Sequence, residues 1–184
     1  MKTTDLSAFN NSWYKPGKNG LIRVLWYFTN ILVIMNPLNP FSGIKTWILR
    51  LFGAEIGENA VIKPGVNIKY PWRLKIGDNC WLGEKTWIDN LGMVTIGNNV
   101  CLSQGVLLLC GNHNYKSSSF DLIVGDIVLE DGVWLGAKSV VGPGVTVGSH
   151  AVLTVGSVTG KDLSAWKIYR GNPAVEIRER EIAK

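Results

Sequence analysis

Ile76-Gly77-Asp78-Asn79-Cys80-Trp81-Leu82-Gly83-Glu84-Lys85-Thr86-Trp87-Ile88 sets an aliphatic residue at every sixth position, with glycine directly after two of them. The same step extends upstream through Ile68, Ile62 and Ile56, and downstream through Ile96, Leu102 and Leu108. It resumes at Leu129 and runs through Leu135, Val141, Val147 and Leu153 to Thr159. Six residues suit a short strand and a tight corner, with the aliphatic pointing inward while Gly, Asn or Asp takes the backbone angles of the turn. Three such units close a triangular coil. One coil cannot bury its own inward face, so coils must stack, with backbone hydrogen bonds between layers about 4.8 Å apart. The period predicts an all-β solenoid, a parallel β-helix over residues 54–162, in which each marked aliphatic packs in the core.

The breaks in the period carry further information. Ile68 to Ile76 and Ile88 to Ile96 are longer steps, and Leu108 to Leu129 is much longer. Counted three units to a coil, all three breaks fall at one corner of the prism and form an axial column. Tyr70, Pro71 and Trp72 occupy the first, Asn90, Leu91 and Gly92 the second, and a loop over residues 111–125 the third. Long loops in compact folds tend to carry function, which directs attention to this column.

The loop contains Gly111-Asn112-His113-Asn114-Tyr115, with one of the two histidines of the chain. Imidazole is the natural general base for deprotonating an alcohol. Position alone leaves open whether His113 is that base or a loop residue without a role. His150 occupies a turn slot filled elsewhere by Asn59, Asn79 and Asn99, and reads as a corner residue.

Bulk properties narrow the class. The chain has 184 residues, 46% hydrophobic content and a net charge of +5, enough for one catalytic unit and favouring anionic partners. Cys80, Cys101 and Cys110 have no CxxC spacing, so neither a disulfide framework nor a zinc site is indicated. The first twenty residues lack the layout of a signal peptide, and a cytoplasmic location is expected. Residues 21–35 are apolar but interrupted by Arg23 and Asn30, and short of the roughly 20 residues of a spanning helix. A γ-class carbonic anhydrase needs three histidines and is excluded by count. A sugar nucleotidyltransferase would need a preceding α/β domain, which 53 residues cannot supply.

Residues 1–53 stand outside the hexads. Residues 21–35 and 44–52 read as two apolar helical pieces separated by Asn36-Pro37-Leu38-Asn39-Pro40. They can cover the open first coil, or they can touch a membrane interface through Trp26, Tyr27, Trp47 and Phe52 beside Arg23, Lys45 and Arg50. The second role would suit a lipid-linked oligosaccharide acceptor at the inner face of the membrane.

Residues 54–180 resemble the hexapeptide-repeat acetyltransferases, in particular the colanic acid biosynthesis group and more distantly the galactoside and maltose O-acetyltransferases. The strings that carry the likeness are residues 109–115 above, Gly132-Val133-Trp134-Leu135-Gly136-Ala137, Val141-Gly142-Pro143-Gly144-Val145-Thr146-Val147-Gly148 and Arg170-Gly171-Asn172-Pro173-Ala174. The resemblance implies a left-handed β-helix and a homotrimer with sites between subunits. It implies an acetyl-CoA-dependent O-acetyltransferase acting on a sugar hydroxyl in surface polysaccharide synthesis. Neither a metal nor a nucleic acid partner is expected. His113 becomes the base of a direct transfer without a covalent acyl-enzyme, and Asp89, Asn90, Glu84 and Tyr115 become acceptor contacts. For Asp89 and Asn90 a hydrogen-bonded turn is the alternative role. CoA is expected along Trp134, Gly136, Ala137, Val155, Gly160 and Lys161, with a backbone amide near Gly136-Ala137 as oxyanion donor and Arg178 toward the nucleotide phosphates in the tail over residues 163–184. A non-catalytic β-helix scaffold, or an acyltransferase acting on an amino sugar or serine, are the rival readings.

Overall fold

A computed structural model describes residues 3–183. The hexads form three parallel sheets wound as a prism, five complete coils topped by a partial sixth. The first face is built from Glu55–Ile56, Leu74–Ile76, Val94–Ile96, Ile127–Leu129 and Thr146–Val147. The second stacks Val61–Ile62, Trp81–Leu82, Cys101–Leu102, Trp134–Leu135 and Val152–Leu153, and is extended by Lys167–Gly171 and Ala174–Glu179. The third holds Asn67–Ile68, Trp87–Asp89, Leu107–Leu109, Val140–Val141 and Val158–Thr159. Registers match the period: Ile76 pairs with Ile96, Leu82 with Leu102, and Ile88 with Leu108. Every marked position is buried except Ile56, which lies half-buried in the first coil.

Corner chemistry follows from backbone sterics. Asn59, Asn79, Asn99, Gly132 and His150 all take positive φ, between 55° and 70°, at the corner joining the first and second faces. A left-handed residue costs roughly 1–2 kcal/mol, least for Asn and Gly. Each buried aliphatic beside it contributes about 1.5–3 kcal/mol, so the stack outweighs its corners.

The N-terminal extension lies over the first coil. Helix α1 (Gly20–Thr29) runs on into a wider turn over Asn30–Ile34, and helix α2 (Ser42–Leu51) follows the proline-containing break. Their polar groups meet the edge that the first coil leaves unpaired. Trp26 Nε1 donates to the Ile68 carbonyl at 3.0 Å, and Lys45 Nζ to the Ile62 carbonyl at 3.2 Å. Arg50 donates to the carbonyls of Ile56 and Gly57. The edge that would otherwise template pairing is thereby closed. Lys45 is fully enclosed, and that burial lowers its pKa. The opposite surface of both helices is apolar and exposed, with Leu21, Leu25, Phe28, Leu32 and Trp47 each more than half accessible.

At the other end, Lys167–Gly171 and Ala174–Glu179 form an antiparallel hairpin. The segment expected as a tail is thus largely a structured end to the second face.

Candidate active site

The three breaks in the hexad period meet at the corner between the third and first faces. In the first, Pro71–Arg73 makes a single helical turn. In the second, Asn90 is completely buried and its amide is fully engaged. Its Nδ2 donates to the carbonyls of Tyr70 (2.6 Å) and Arg73 (3.0 Å), and its Oδ1 accepts from Tyr70 N–H at 2.9 Å. Of the two roles open to Asn90, the structure displays the turn: the side chain clasps the insert one coil below and has no group left for an acceptor. Asp89 beside it is 8% exposed, with Lys69 Nζ 2.8 Å from its Oδ1.

The third break is a hairpin, Gly111–His113 against Leu122–Val124, standing off the coil. It presents His113 half-buried. The imidazole Nδ1 lies 2.8 Å from the Phe120 carbonyl. A carbonyl can only accept, so Nδ1 carries a proton, and in the neutral imidazole the free lone pair is the one on Nε2. The Phe120 ring stacks on the imidazole at 4.4 Å and 6°, fixing its plane. Phe120 achieves both contacts from a left-handed backbone, φ 52°, which an aromatic residue takes up only against a steric cost. Tyr115 projects from the same loop, 76% exposed, its N–H donating to the His113 carbonyl at 3.0 Å.

A segment that the hexad pattern did not implicate also reaches this corner. Asp5 N–H bonds to the Ser118 carbonyl at 2.8 Å, and Phe9 brings its ring to 5.6 Å from His113. Tyr14 donates to the Leu91 carbonyl at 2.9 Å. Nothing in local spacing signals such long-range contacts.

Cys110 sits, buried, at the root of the hairpin. Burial pushes its thiol up to about 11, so almost no thiolate exists near neutral pH. Burial likewise raises the thiols of Cys80 and Cys101. Among the described residues no cluster of side chains could hold a metal ion.

The residues expected at the cofactor divide into two groups. Trp134, Gly136, Ala137 and Val155 line one groove of about 340 Å³ at the corner between the second and third faces, together with Ser103 and Gln104. A Cβ on Gly136 would lie 2.5 Å from Val155 N, so only glycine allows these layers to approach. Gly136 N–H is spent on the Leu153 carbonyl and Lys138 N–H on that of Gln104. Ala137 N–H, between them, has no partner among the described residues. The second group stands apart within one protomer. Gly160 and Lys161 follow Val158–Thr159 onto the insert corner, and Arg178 belongs to the C-terminal hairpin. Glu84 also lies away from His113: it occupies the groove corner, below Gln104, where its carbonyl accepts from Gly105 N–H.

Comparison with known proteins agrees with this architecture. The family model described as the hexapeptide repeat of succinyl-transferase matches residues 73–110 and 126–159. A protein of Escherichia coli (strain K12) assigned as the colanic acid biosynthesis acetyltransferase WcaF is 38% identical, covering 96% of this chain and 97% of its own. Among solved structures, a galactoside acetyltransferase in complex with coenzyme A superposes with a TM-score of 0.77 at 26% identity, covering 91% of this chain and 86% of that one. A hexapeptide-repeat-containing acetyltransferase from Vibrio cholerae O1 biovar eltor, complexed with acetyl coenzyme A, shares the fold with a TM-score of 0.79 at 20% identity, covering 88% of each chain. With the coil register, the displaced hairpin and a full-length relative in agreement, the chain belongs to the hexapeptide-repeat acetyltransferases.

Proposed function

We propose that this enzyme transfers the acetyl group of acetyl-CoA to a hydroxyl of a sugar, in the assembly of a surface polysaccharide. The observation that carries the reading is the Nδ1 contact of His113 with the Phe120 carbonyl, which in the neutral imidazole places the accepting lone pair on Nε2. Nε2 takes the proton of the sugar hydroxyl as its oxygen attacks the thioester carbonyl. The tetrahedral oxyanion is met by Ala137 N–H, and collapse expels CoA thiolate, which recovers the proton from the imidazolium. The acetyl ester and CoA thiol are the products, and no acyl-enzyme forms. The high thiol pKa of Cys110 supports this direct route. Tyr115 and Asp89 are the acceptor contacts we retain from the insert corner.

His113 and the Trp134–Ala137 groove occupy different corners, so the site is completed by pairing the insert corner of one subunit with the groove corner of the next. Outward positions support a homotrimer. The first face turns Glu55, Lys75 and Thr95 outward, whereas the second turns Trp81 and Trp134 outward. Exposed aromatic surface of this kind marks an interface. Gly160, Lys161 and Arg178 join the CoA site in such an assembly. No described helix is long and apolar enough to cross a membrane, and we place the apolar surface of α1 and α2 against the inner membrane face.

The test is CoA release by the purified protein over a panel of glycans and lipid-linked sugars. Transfer dependent on a sugar hydroxyl is expected. Acetyl-CoA binding with no release on any saccharide, or transfer only to amines, would overturn the reading.

A further inference from the structure

The excess charge of the chain is confined to one region. Residues 1–54 contain six basic residues (Lys2, Lys15, Lys18, Arg23, Lys45, Arg50) and one acid, Asp5. Subtracting these from 19 basic and 14 acidic residues leaves 13 of each in residues 55–184, a net charge of zero. The entire +5 resides in the extension, and residues 6–54 hold no carboxylate side chain.

Between α1 and the third face lies a cleft of about 530 Å³, whose lining includes Arg23, Tyr27, Ile31, Lys69, Trp87 and Asp89. Its polarity is graded. Asn30, at the end of α1, bonds to Asn67 at the start of the strand, and Trp26 bonds to the Ile68 carbonyl one step later. The helix therefore runs against the strand direction, placing Arg23 toward Lys69 and the insert corner and Ile31 toward the far end. At the cationic end, the Asp89 carboxylate faces Lys69 and offsets its charge, leaving Arg23 as the excess cation. The apolar end is continuous with the exposed surface of α1.

We propose that this cleft binds the phosphate-bearing end of a lipid-linked acceptor. The phosphate meets Arg23 and Lys69, the hydrocarbon chain leaves along Tyr27 and Ile31 toward the bilayer, and the attached sugar enters the insert corner past Asp89. Guanidinium and ammonium donors to a phosphate give charge-assisted hydrogen bonds, and aromatic faces pack against both chain and sugar. The inference rests on the sugar-hydroxyl reading above and names the form in which the sugar arrives: it is carried on a lipid phosphate and is not free in solution.

The test is binding of decyl phosphate to the full chain without acetyl-CoA, followed by tryptophan fluorescence and calorimetry below the critical micelle concentration. Decanol, inorganic phosphate and a free hexose 1-phosphate are the comparison arms. We expect decyl phosphate to bind at least about tenfold more tightly than any of them, and Arg23→Gln, which leaves the Lys69–Asp89 pair intact, to remove that advantage with an unchanged melting temperature. Tighter binding of hexose 1-phosphate would assign the cleft to a soluble sugar phosphate and overturn the lipid-linked form. Equal affinity for decanol, or no effect of Arg23→Gln, would overturn phosphate recognition. None of these readouts requires turnover, so failure of the glycan assay and failure of this inference are separate results.

Discussion

The two histidines occupy two corners of one prism, and their surroundings differ in the way that separates chemistry from packing. His150 closes a hexad turn at φ 61°, stacked on Trp166 at 4.2 Å and 2°. A Cβ on Gly132 in the coil below would lie 2.6 Å from its ring, and its carbonyl accepts from Arg180. Its Nδ1 is buried with no hydrogen-bond partner. His113 also has a stacked aromatic ring, but on a hairpin that leaves the coil, where a backbone carbonyl fixes its tautomer and Nε2 is free. A hexad corner offers a ring only the layers above and below. An insert adds backbone that belongs to no layer, and that backbone supplies the partner a base requires.

The largest separation between corners is expected at the cofactor groove. Ala137→Trp fills the space beside Trp134 and should abolish acetyl-CoA binding in calorimetry while the protein stays folded; retained affinity would place the groove elsewhere. A smaller effect is expected at the foot of the insert corner. Asn90→Leu leaves the Tyr70 N–H and the Arg73 carbonyl unpaired and should cost about 2–4 kcal/mol in chemical denaturation. A loss below about 0.5 kcal/mol would show that the inserts do not depend on one another. The smallest belongs to the plain corner. His150→Asn restores the residue type that fills the lower corners and forfeits the Trp166 stack, a loss of about 1 kcal/mol with little change in turnover.

Most of the fold was legible because the hexad is a local rule: Ile-Gly and Asn recur where an inward strand meets a left-handed corner. The column of inserts was legible for the same reason, as departures from a counted period. Which insert residue does what was less so. Asn90 is chemically as suited to a sugar as to a turn, and only the neighbouring coil, twenty residues away, shows its amide taken up by Tyr70 and Arg73. Phe120 carries no sequence sign of its positive φ, since phenylalanine is a poor residue for that conformation. Phe9 reaches His113 across about a hundred residues, beyond any periodic signal. The net charge of the whole chain belongs to the extension, a placement that can be counted from the sequence alone.

Catalysis turns on His113 being the base at the insert corner, and the most direct test is kcat for acetyl transfer by His113→Ala beside His150→Asn, each at saturating acetyl-CoA with folding and acetyl-CoA affinity verified. The account predicts that His113→Ala loses about 10² to 10⁴-fold in kcat with acetyl-CoA still bound, while His150→Asn stays close to the parent. Near-parental turnover by His113→Ala would contradict it.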